Sequence, residues 1–567
     1  MNKIRLILSA AILMIGSLAM SQNVEQGKRF FYYERYKSAK DVFDKVLASN
    51  PNDISAIYWL GQTLLESKDT SGAKALYQKA LSTNGSAPLL LVGVGHLELL
   101  EGKNNEARQH FETAISLSKA KDIDVLNAIG RANAESRVGD ANYAIEKLNL
   151  ATQIKGFKDP NTYLLIGDAY RKNIDGGGAV TAYTKAMTLD QKLAAAKYKI
   201  GKVYLTQNNK DYFLPAFEEA IQIDPAYLPA LYELYYYYYF RDVNKAEVYL
   251  NQYAANADPG PELDYLKTDF TYARGNFSEA RNKAQALISQ FGDKVSPRMY
   301  KMVAYTADTL GDLTAAKQAM TTYFAKVDTA DILPADYLEL ANINSKVQGS
   351  QAEAFENFRA AIARDTAIEN KIKYINQAAA LAKKLGDRNQ EATWLGVAYH
   401  MDPNPSQTDL YNWGYAHYQA GNYDSSSRIF CETYETKYPN EIFGYLWCAR
   451  SEQAKDTTQL TESAAVAYEK LATMAMQIDS VKYKSQAKTA LYTLTTYAND
   501  VKKDPKAALA YIDRILVMDP DDANAIKIKD ILTKAINRPA KTTTPPKKNT
   551  SATTKSGGGA GTVKKKN

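Results

Sequence analysis

The 567-residue chain is far longer than one hydrophobic core can organise, so it must form several domains or a repeat array. Its 45% hydrophobic and 23% charged residues are the make-up of a soluble globular protein. The formal charge of +7 comes from the ends: 538–567 holds eight basic residues and no acid, and Lys3 and Arg5 lie in 1–21, so the body 22–537 stands at −3 and gives no support for a nucleic-acid groove.

Lys3 and Arg5 precede a short apolar run, Ile4 and Leu6 to Ile15, which Gly16 and Ser17 break. Ala19 and Ser21 have the spacing of a signal-peptidase site before Gln22. These features predict a secretory signal over 1–21; an uncleaved anchor is the alternative, and the run is short for one. No cysteine stands at the cleavage point to carry a lipid. The mature chain is therefore expected in the periplasm or associated with the outer envelope.

Over 22–227 the glycines Gly27, Gly61, Gly95, Gly130, Gly167 and Gly201 recur at intervals of 34 to 37 residues, each inside a helical stretch. A glycine costs about 1 kcal/mol in a helix interior, so their regularity needs a common cause, and close approach of two helices supplies it. A second series runs in phase: Ala39, Ala73, Ala107, Ala144 and Ala179. Four residues on come Phe43, Tyr77, Phe111, Leu148 and Tyr183, and three further Val46, Ala80, Ala114, Ala151 and Ala186. Steps of four and three keep these on one helical stripe. Gly102-Lys103, Gly139-Asp140 and Gly176-Gly177-Gly178 lie between the series and read as turns. Pro51, Pro225, Pro403 and Pro520 fall just past second helices, where proline ends a helix. Each unit is therefore helix, tight turn, helix.

The pattern resembles the tetratricopeptide repeat: a small residue in the first helix, then an alanine, an aromatic, a second alanine and a proline in and after the second. Gly95, Ala107, Phe111 and Ala114 show it, as do Gly201, Phe217, Ala220 and Pro225, with Phe213 where an alanine is expected. The resemblance implies an all-α, right-handed α-solenoid of about fourteen helix-turn-helix units. Over 228–406 the units are degenerate: Tyr235, Thr268, Ala304, Ala341 and Ala379 replace the glycine, while Ala246, Ala280, Ala316 and Ala354 keep the second helix. This stretch is either a bend or a subdomain boundary. Clear units return over 407–537, with Gly414, Gly421 and Phe430, and a helix over 523–536 is expected to cap the stack. The basic segment 538–567 has almost nothing apolar to bury and is expected to be disordered.

Little in the chain suggests chemistry. His96, His110, His400 and His417 have no metal-ligand spacing, and Gly176-Gly177-Gly178 lacks the Lys and Ser/Thr of a phosphate loop. No catalytic residue, metal or cofactor is expected. Cys431 and Cys448 are the only cysteines; the repeat pattern puts them on adjacent helices, open to a disulfide or to two free thiols. The tyrosines stand out, 41 against 16 phenylalanines. In 232–239 six tyrosines share one first helix, so some must reach a surface. By resemblance first helices line a concave groove, which would receive Tyr198, Lys202, Tyr232, Tyr236 and Tyr239, and further on Tyr411, Tyr415 and Tyr418. Such rings either anchor a partner or pack against one another.

These features point to a non-enzymatic, protein-binding scaffold of the cell envelope with protein partners and no nucleic acid. A glycan- or cell-wall-binding solenoid is the alternative, its basic tail touching anionic polymers or lipid.

Overall fold

A computed structural model describes residues 23–537; the predicted signal 1–21 and the basic segment 538–567 lie outside the described residues. Among the described residues there are helices and no strand. They form fourteen helical hairpins, from 23–32 with Tyr36–Ser49 to Lys484–Thr496 with Pro505–Met518, followed by a single helix Ala523–Ile536. The chain divides into two compact units between Thr329 and Ala330, a point inside the degenerate stretch 228–406. Hairpins one to nine form the first unit, and hairpins ten to fourteen with the last helix form the second.

One steric arrangement builds the regular hairpins. A Cβ added to Gly27, Gly61, Gly95, Gly167 or Gly201 would fall within 3.0 Å of the ring of Phe43, Tyr77, Phe111, Tyr183 or Phe217, respectively. At Gly130 the side chain of Leu148 takes that place, and at Gly414 the ring of Phe430. The ring of the second helix thus lies on the bare backbone of the first. Ala39, Ala73, Ala107, Ala144 and Ala179 are completely buried beneath the same contact. Polar tips of buried rings are satisfied locally: the Tyr77 hydroxyl donates to the Tyr58 carbonyl at 2.8 Å and accepts from Gln62 Nε2 at 3.0 Å.

In one unit of the degenerate stretch the two helices exchange volumes. Sixteen residues after Thr268 stands Ala284, and both are buried. There the first helix gains a side chain and the second has no ring, whereas in the unit of Ala341 the ring of Phe358 stays buried. Packed interiors respond to single methylene groups, so such compensation is what a conserved helix spacing requires.

In most hairpins the tight turn places one residue in the left-handed region. Gly102, Gly275, Gly311, Gly349, Gly386 and Gly421 fill it in some hairpins, whereas Glu34, Lys68, Ile174 and Asn208 fill it in others. Ile174 does so at 92% exposure, with nothing to offset the strain of a β-branched residue there. The turn of the fifth hairpin is therefore Asn173-Ile174-Asp175. Gly176-Gly177-Gly178, expected as the turn, instead open the helix Gly176–Leu189, capped by the Asp175 carboxylate accepting from the Gly178 amide at 2.8 Å. The reason is the strong capping tendency of an aspartate ahead of a helix, which sets its start one residue before the glycines. The last helix, Ala523–Ile536, buries Ala525 and Leu532 and leaves Ile531 exposed.

The volume exchange can be tested at Gly95. Gly95→Thr should destabilise the first unit by about 1–3 kcal/mol and Phe111→Ala by about 3–5 kcal/mol. The double variant should lose clearly less than their sum, because the threonine enters the space the ring leaves; denaturant unfolding of the three variants reads the coupling.

Candidate functional site

The inner side of the first unit is built by first helices. Between those of hairpins one to six lies a chamber of about 850 Å³. Its walls carry Phe31, Tyr36, Trp59, Arg131, Asp168 and Lys199 among others. Asp168 is 1% exposed and accepts from the Tyr183 hydroxyl at 2.8 Å and from Lys199 Nζ at 2.8 and 2.9 Å. Burial pushes the Asp168 carboxyl up, with Lys199 opposing. The Arg131 guanidinium lies 5.0 Å from the Trp59 ring and 5.6 Å from Phe31, and 3.3 Å from Glu135. His96 Nδ1 stands 3.2 Å from Gln62 Oε1; burial, helped by the Arg131 charge, lowers its imidazole to about 4, so it stays neutral.

The chamber is closed by the tip of the first hairpin, which reaches across to three later turns. Those turns carry Asp190, Asp224 and Asp258, each 34 residues from the next. The Tyr32 hydroxyl accepts from the Ala195 amide at 3.1 Å, and the Tyr32 ring packs 5.0 Å from Tyr227. The Tyr33 hydroxyl donates to Asp224 at 2.7 Å. Asp258 accepts from the Ser38 hydroxyl at 2.5 Å, the Ser38 amide at 2.9 Å and Arg35 Nε at 3.1 Å. Burial raises the Asp258 carboxyl, but Ser38 and Arg35 outweigh it and hold it below its ordinary value. The helices stack until the seventh hairpin meets the first, and this clasp fastens them.

The residues expected in the groove divide into three environments. Tyr198 packs 5.8 Å from Phe217 and 5.6 Å from Tyr227, a residue of the chamber wall, and Lys202 pairs with Glu233 at 2.5 Å. On the helix Leu228–Tyr239 the tyrosines separate by face. Tyr235 is buried, Tyr237 packs on Phe213 and Tyr238 stacks on Tyr249. Tyr232, Tyr236 and the adjoining Phe240 form an exposed stripe at 38, 52 and 68%. Tyr239 is half-buried and donates to the Asp269 carbonyl at 2.9 Å. Beside this stripe Arg298 stands 3.6 Å from Asp269, and its Nε and one terminal nitrogen are buried without a hydrogen-bond partner.

In the second unit, Tyr411, Tyr415 and Tyr418 come together, and the structure adds Trp447 from the next first helix, Ile442–Ala454. Tyr411 and Tyr415 stack at 5.9 Å, and Trp447 meets Tyr415 at 4.8 Å and Tyr418 at 5.0 Å. Arg450 lies 4.8 Å from the Trp447 ring, and Phe443 is exposed at the edge. Trp447, Phe443 and Arg450 went unread in the sequence because no regular series passes through them.

Family models for the tetratricopeptide repeat match residues 31–91 and 194–227. Both stretches are tetratricopeptide repeats. No curated protein sequence matches this repeat protein. Among solved structures, it is similar to the C-terminal part of a TPR repeat-containing protein from Cytophaga hutchinsonii, at 25% identity over 47% of this chain and 98% of that one, with a TM-score of 0.28. It is also similar to YrrB, described as a TPR protein with an unusual peptide-binding site, at 22% identity over 34% of this chain and 96% of that one, TM-score 0.22. Cut9–Hcn1, an APC/C hetero-tetramer, matches at 13% identity over 89% of this chain and 95% of that one, TM-score 0.31.

A disulfide joins Cys431 and Cys448, with Cα atoms 4.9 Å apart. Cys431 lies on the second helix of the twelfth repeat, where the turns over Arg428–Tyr434 widen to a π-helix, and Cys448 lies on the first helix of the thirteenth. Among the described residues no three His, Cys, Asp or Glu side chains are placed to hold a metal, and no helix is long and apolar enough to cross a membrane.

Two measurements follow from this geometry. Arg35→Ala with Ser38→Ala removes the partners of Asp258, and each hydrogen bond to a charge contributes about 1.5–3 kcal/mol. Amides of the turns at 224–227 and 256–258 should then exchange with deuterium at least about tenfold faster, with the second unit unchanged. The second concerns Asp269, which burial raises from 3.8 to about 6 against the pull of Arg298. A carboxyl that holds its proton more tightly folded than unfolded adds stability that is complete below its unfolded value and lost as the pH rises through about 6. Asp269→Asn should flatten the rise in stability of the first unit as pH falls from about 7 to about 4, read by urea unfolding at each pH.

Proposed function

We propose that this tetratricopeptide-repeat protein is a non-catalytic scaffold of the bacterial cell envelope that holds protein partners on the inner faces of its repeats. The observation that carries the reading is the distribution of half-exposed aromatic rings. They recur along first helices, as Tyr232, Tyr236 and Phe240 in one unit and as Tyr411, Tyr415, Tyr418 and Trp447 in the other, and are not gathered in a single reaction pocket. Rings with polar tips have few rotatable bonds and bury much area, so they suit the anchor positions of a protein interface. A stack of hairpins offers such anchors along an extended surface. The disulfide between Cys431 and Cys448 supports a location in an oxidising compartment, as does the signal-like start of the sequence.

A glycan or cell-wall ligand is favoured by one feature, the wall of Tyr411, Tyr415 and Trp447, whose rings could stack on sugar faces. The basic segment 538–567 would assist by touching anionic polymers or lipid.

Affinity capture from the envelope fraction with tagged mature protein separates the two. The scaffold reading expects a reproducible set of protein partners, reduced at least about tenfold by Tyr232→Ala with Tyr236→Ala or by Tyr411→Ala with Trp447→Ala, since an interface anchor contributes 2 kcal/mol or more. Retention on purified cell-wall material, lost with Trp447→Ala and with no protein captured, overturns it in favour of the glycan reading.

A further inference from the structure

Asn84 is the only asparagine in the chain that glycine follows, and it stands in the turn that joins the second hairpin to the third. The helix Thr70–Thr83 ends there: the Asn84 amide donates to the Ala80 carbonyl at 2.9 Å, and the next helix opens at Pro88. One backbone bond holds the turn, from the Ala87 amide to the Asn84 carbonyl at 3.0 Å. The Asn84 side chain donates to the Thr83 hydroxyl at 3.2 Å in an exposed position. Gly85 is exposed, and its amide donates to no described residue.

An asparagine carboxamide is an electrophile that the next backbone nitrogen reaches by closing a five-membered ring. Two things ordinarily block that closure: a side chain on the following residue, and a backbone locked by hydrogen bonds. Glycine removes the first, since it has no Cβ. An exposed turn outside the helix ladder removes the second. Closure rotates the Asn84 backbone away from its ψ of 51°, and the bond to Ala87 is the one that has to open.

Other pairs of this type are held. Asn344 precedes Ser345, but it is 1% exposed within the helix Pro334–Lys346. Asp175 precedes Gly176, but its carboxylate accepts from the Gly178 amide at 2.8 Å and caps a helix.

We propose that Asn84 is a site of spontaneous deamidation, with the Gly85 backbone nitrogen as the nucleophile. That nitrogen attacks Cγ of Asn84. The N–Cγ bond forms, the Cγ–Nδ2 bond breaks, and Nδ2 leaves as ammonia with the proton that the Gly85 amide gives up. Water then opens the succinimide at either carbonyl, which leaves aspartate or isoaspartate at position 84. Both products put a carboxylate just past the C-terminus of Thr70–Thr83, the end of a helix where negative charge is disfavoured. Isoaspartate also adds one carbon to the backbone between the second and third hairpins. The inference is independent of the scaffold reading, because it needs no partner.

Peptide mapping by mass spectrometry tests it on the full mature chain, kept folded in warm, mildly alkaline buffer. An isoaspartyl methyltransferase reads the second product. The peptide that holds residue 84 should gain one mass unit and accept the methyl label, while the peptide that holds Asn344 stays unchanged until urea unfolds the chain. Gly85→Ala should slow the conversion at least about tenfold. Alanine fits there, since Gly85 lies outside the left-handed region and an added Cβ would stand 3.4 Å from the Leu81 carbonyl oxygen; circular dichroism checks that the variant is folded. Survival of Asn84 for as long as Asn344 in the folded chain, an equal rate in Gly85→Ala, or conversion to aspartate with no isoaspartate overturns the proposal.

Discussion

A ring of the second helix laid on a glycine of the first fixes how far apart the two helices of a hairpin run, and every later feature inherits that distance. The close approach of Tyr77 to Gly61, or of Tyr183 to Gly167, leaves the hairpin thin enough to stack on its neighbours through alanines. It also sets what stands beside the ring: the residue after the glycine reaches the ring's polar tip, as Gln62 does at Tyr77 and Asp168 at Tyr183. Lys28, Gln62, His96, Arg131, Asp168 and Lys202 each follow a glycine of the series. Lys28, Arg131 and Asp168 stand on the chamber wall, and Lys202 is paired with Glu233. The steric rule of the core therefore fixes which residues stand beside the rings, and three of them reach the chamber wall.

How much of this was legible depended on whether a requirement repeats as a residue type. The glycine and ring series do, because one clash is avoided in every hairpin, and they located the hairpins and even the closing helix Ala523–Ile536. The turn position repeats as a conformation and not as a residue; Glu34, Lys68, Ile174 and Asn208 meet it without glycine, and Gly176-Gly177-Gly178 drew attention to the wrong place. The series that follows the glycines repeats as a position only. Its members are a lysine, a glutamine, a histidine, an arginine, an aspartate and a lysine, so no periodic search collects them. The clasp was hidden for another reason. Ser38 and Asp258 lie 220 residues apart, and Asp190, Asp224 and Asp258 look in sequence like ordinary turn residues.

The tyrosine-rich helix shows the limit of arguing from one element. Its residue types required that some rings reach a surface, and Tyr232, Tyr236 and Phe240 do. Which rings do so is set by neighbours: Phe213 takes Tyr237, Tyr249 takes Tyr238, and the first helix of the eighth repeat takes the Tyr239 hydroxyl. Tyr198, expected in the groove by resemblance, packs its ring between Phe217 and Tyr227.

The two units use the same hairpin for different ends. In the first, the inner face is rich in charge, and the clasp closes it. Burial, with the neighbouring carboxylates, raises Glu34 and Glu66, and Lys199, Lys202 and Arg131 oppose it. Such crowding is unfavourable unless an opposite charge relieves it. In the second unit the face at Tyr411, Tyr415 and Trp447 is aromatic, with Arg450 as its nearest charge, and the bond between Cys431 and Cys448 fixes the two repeats that carry it. An aromatic wall needs a rigid backing to keep its rings in register, and a covalent link between adjacent repeats supplies it. The charged face of the first unit has no such covalent link. The tip of the first hairpin supplies the closing contact instead, through the reach of Arg35 and Ser38 to Asp258.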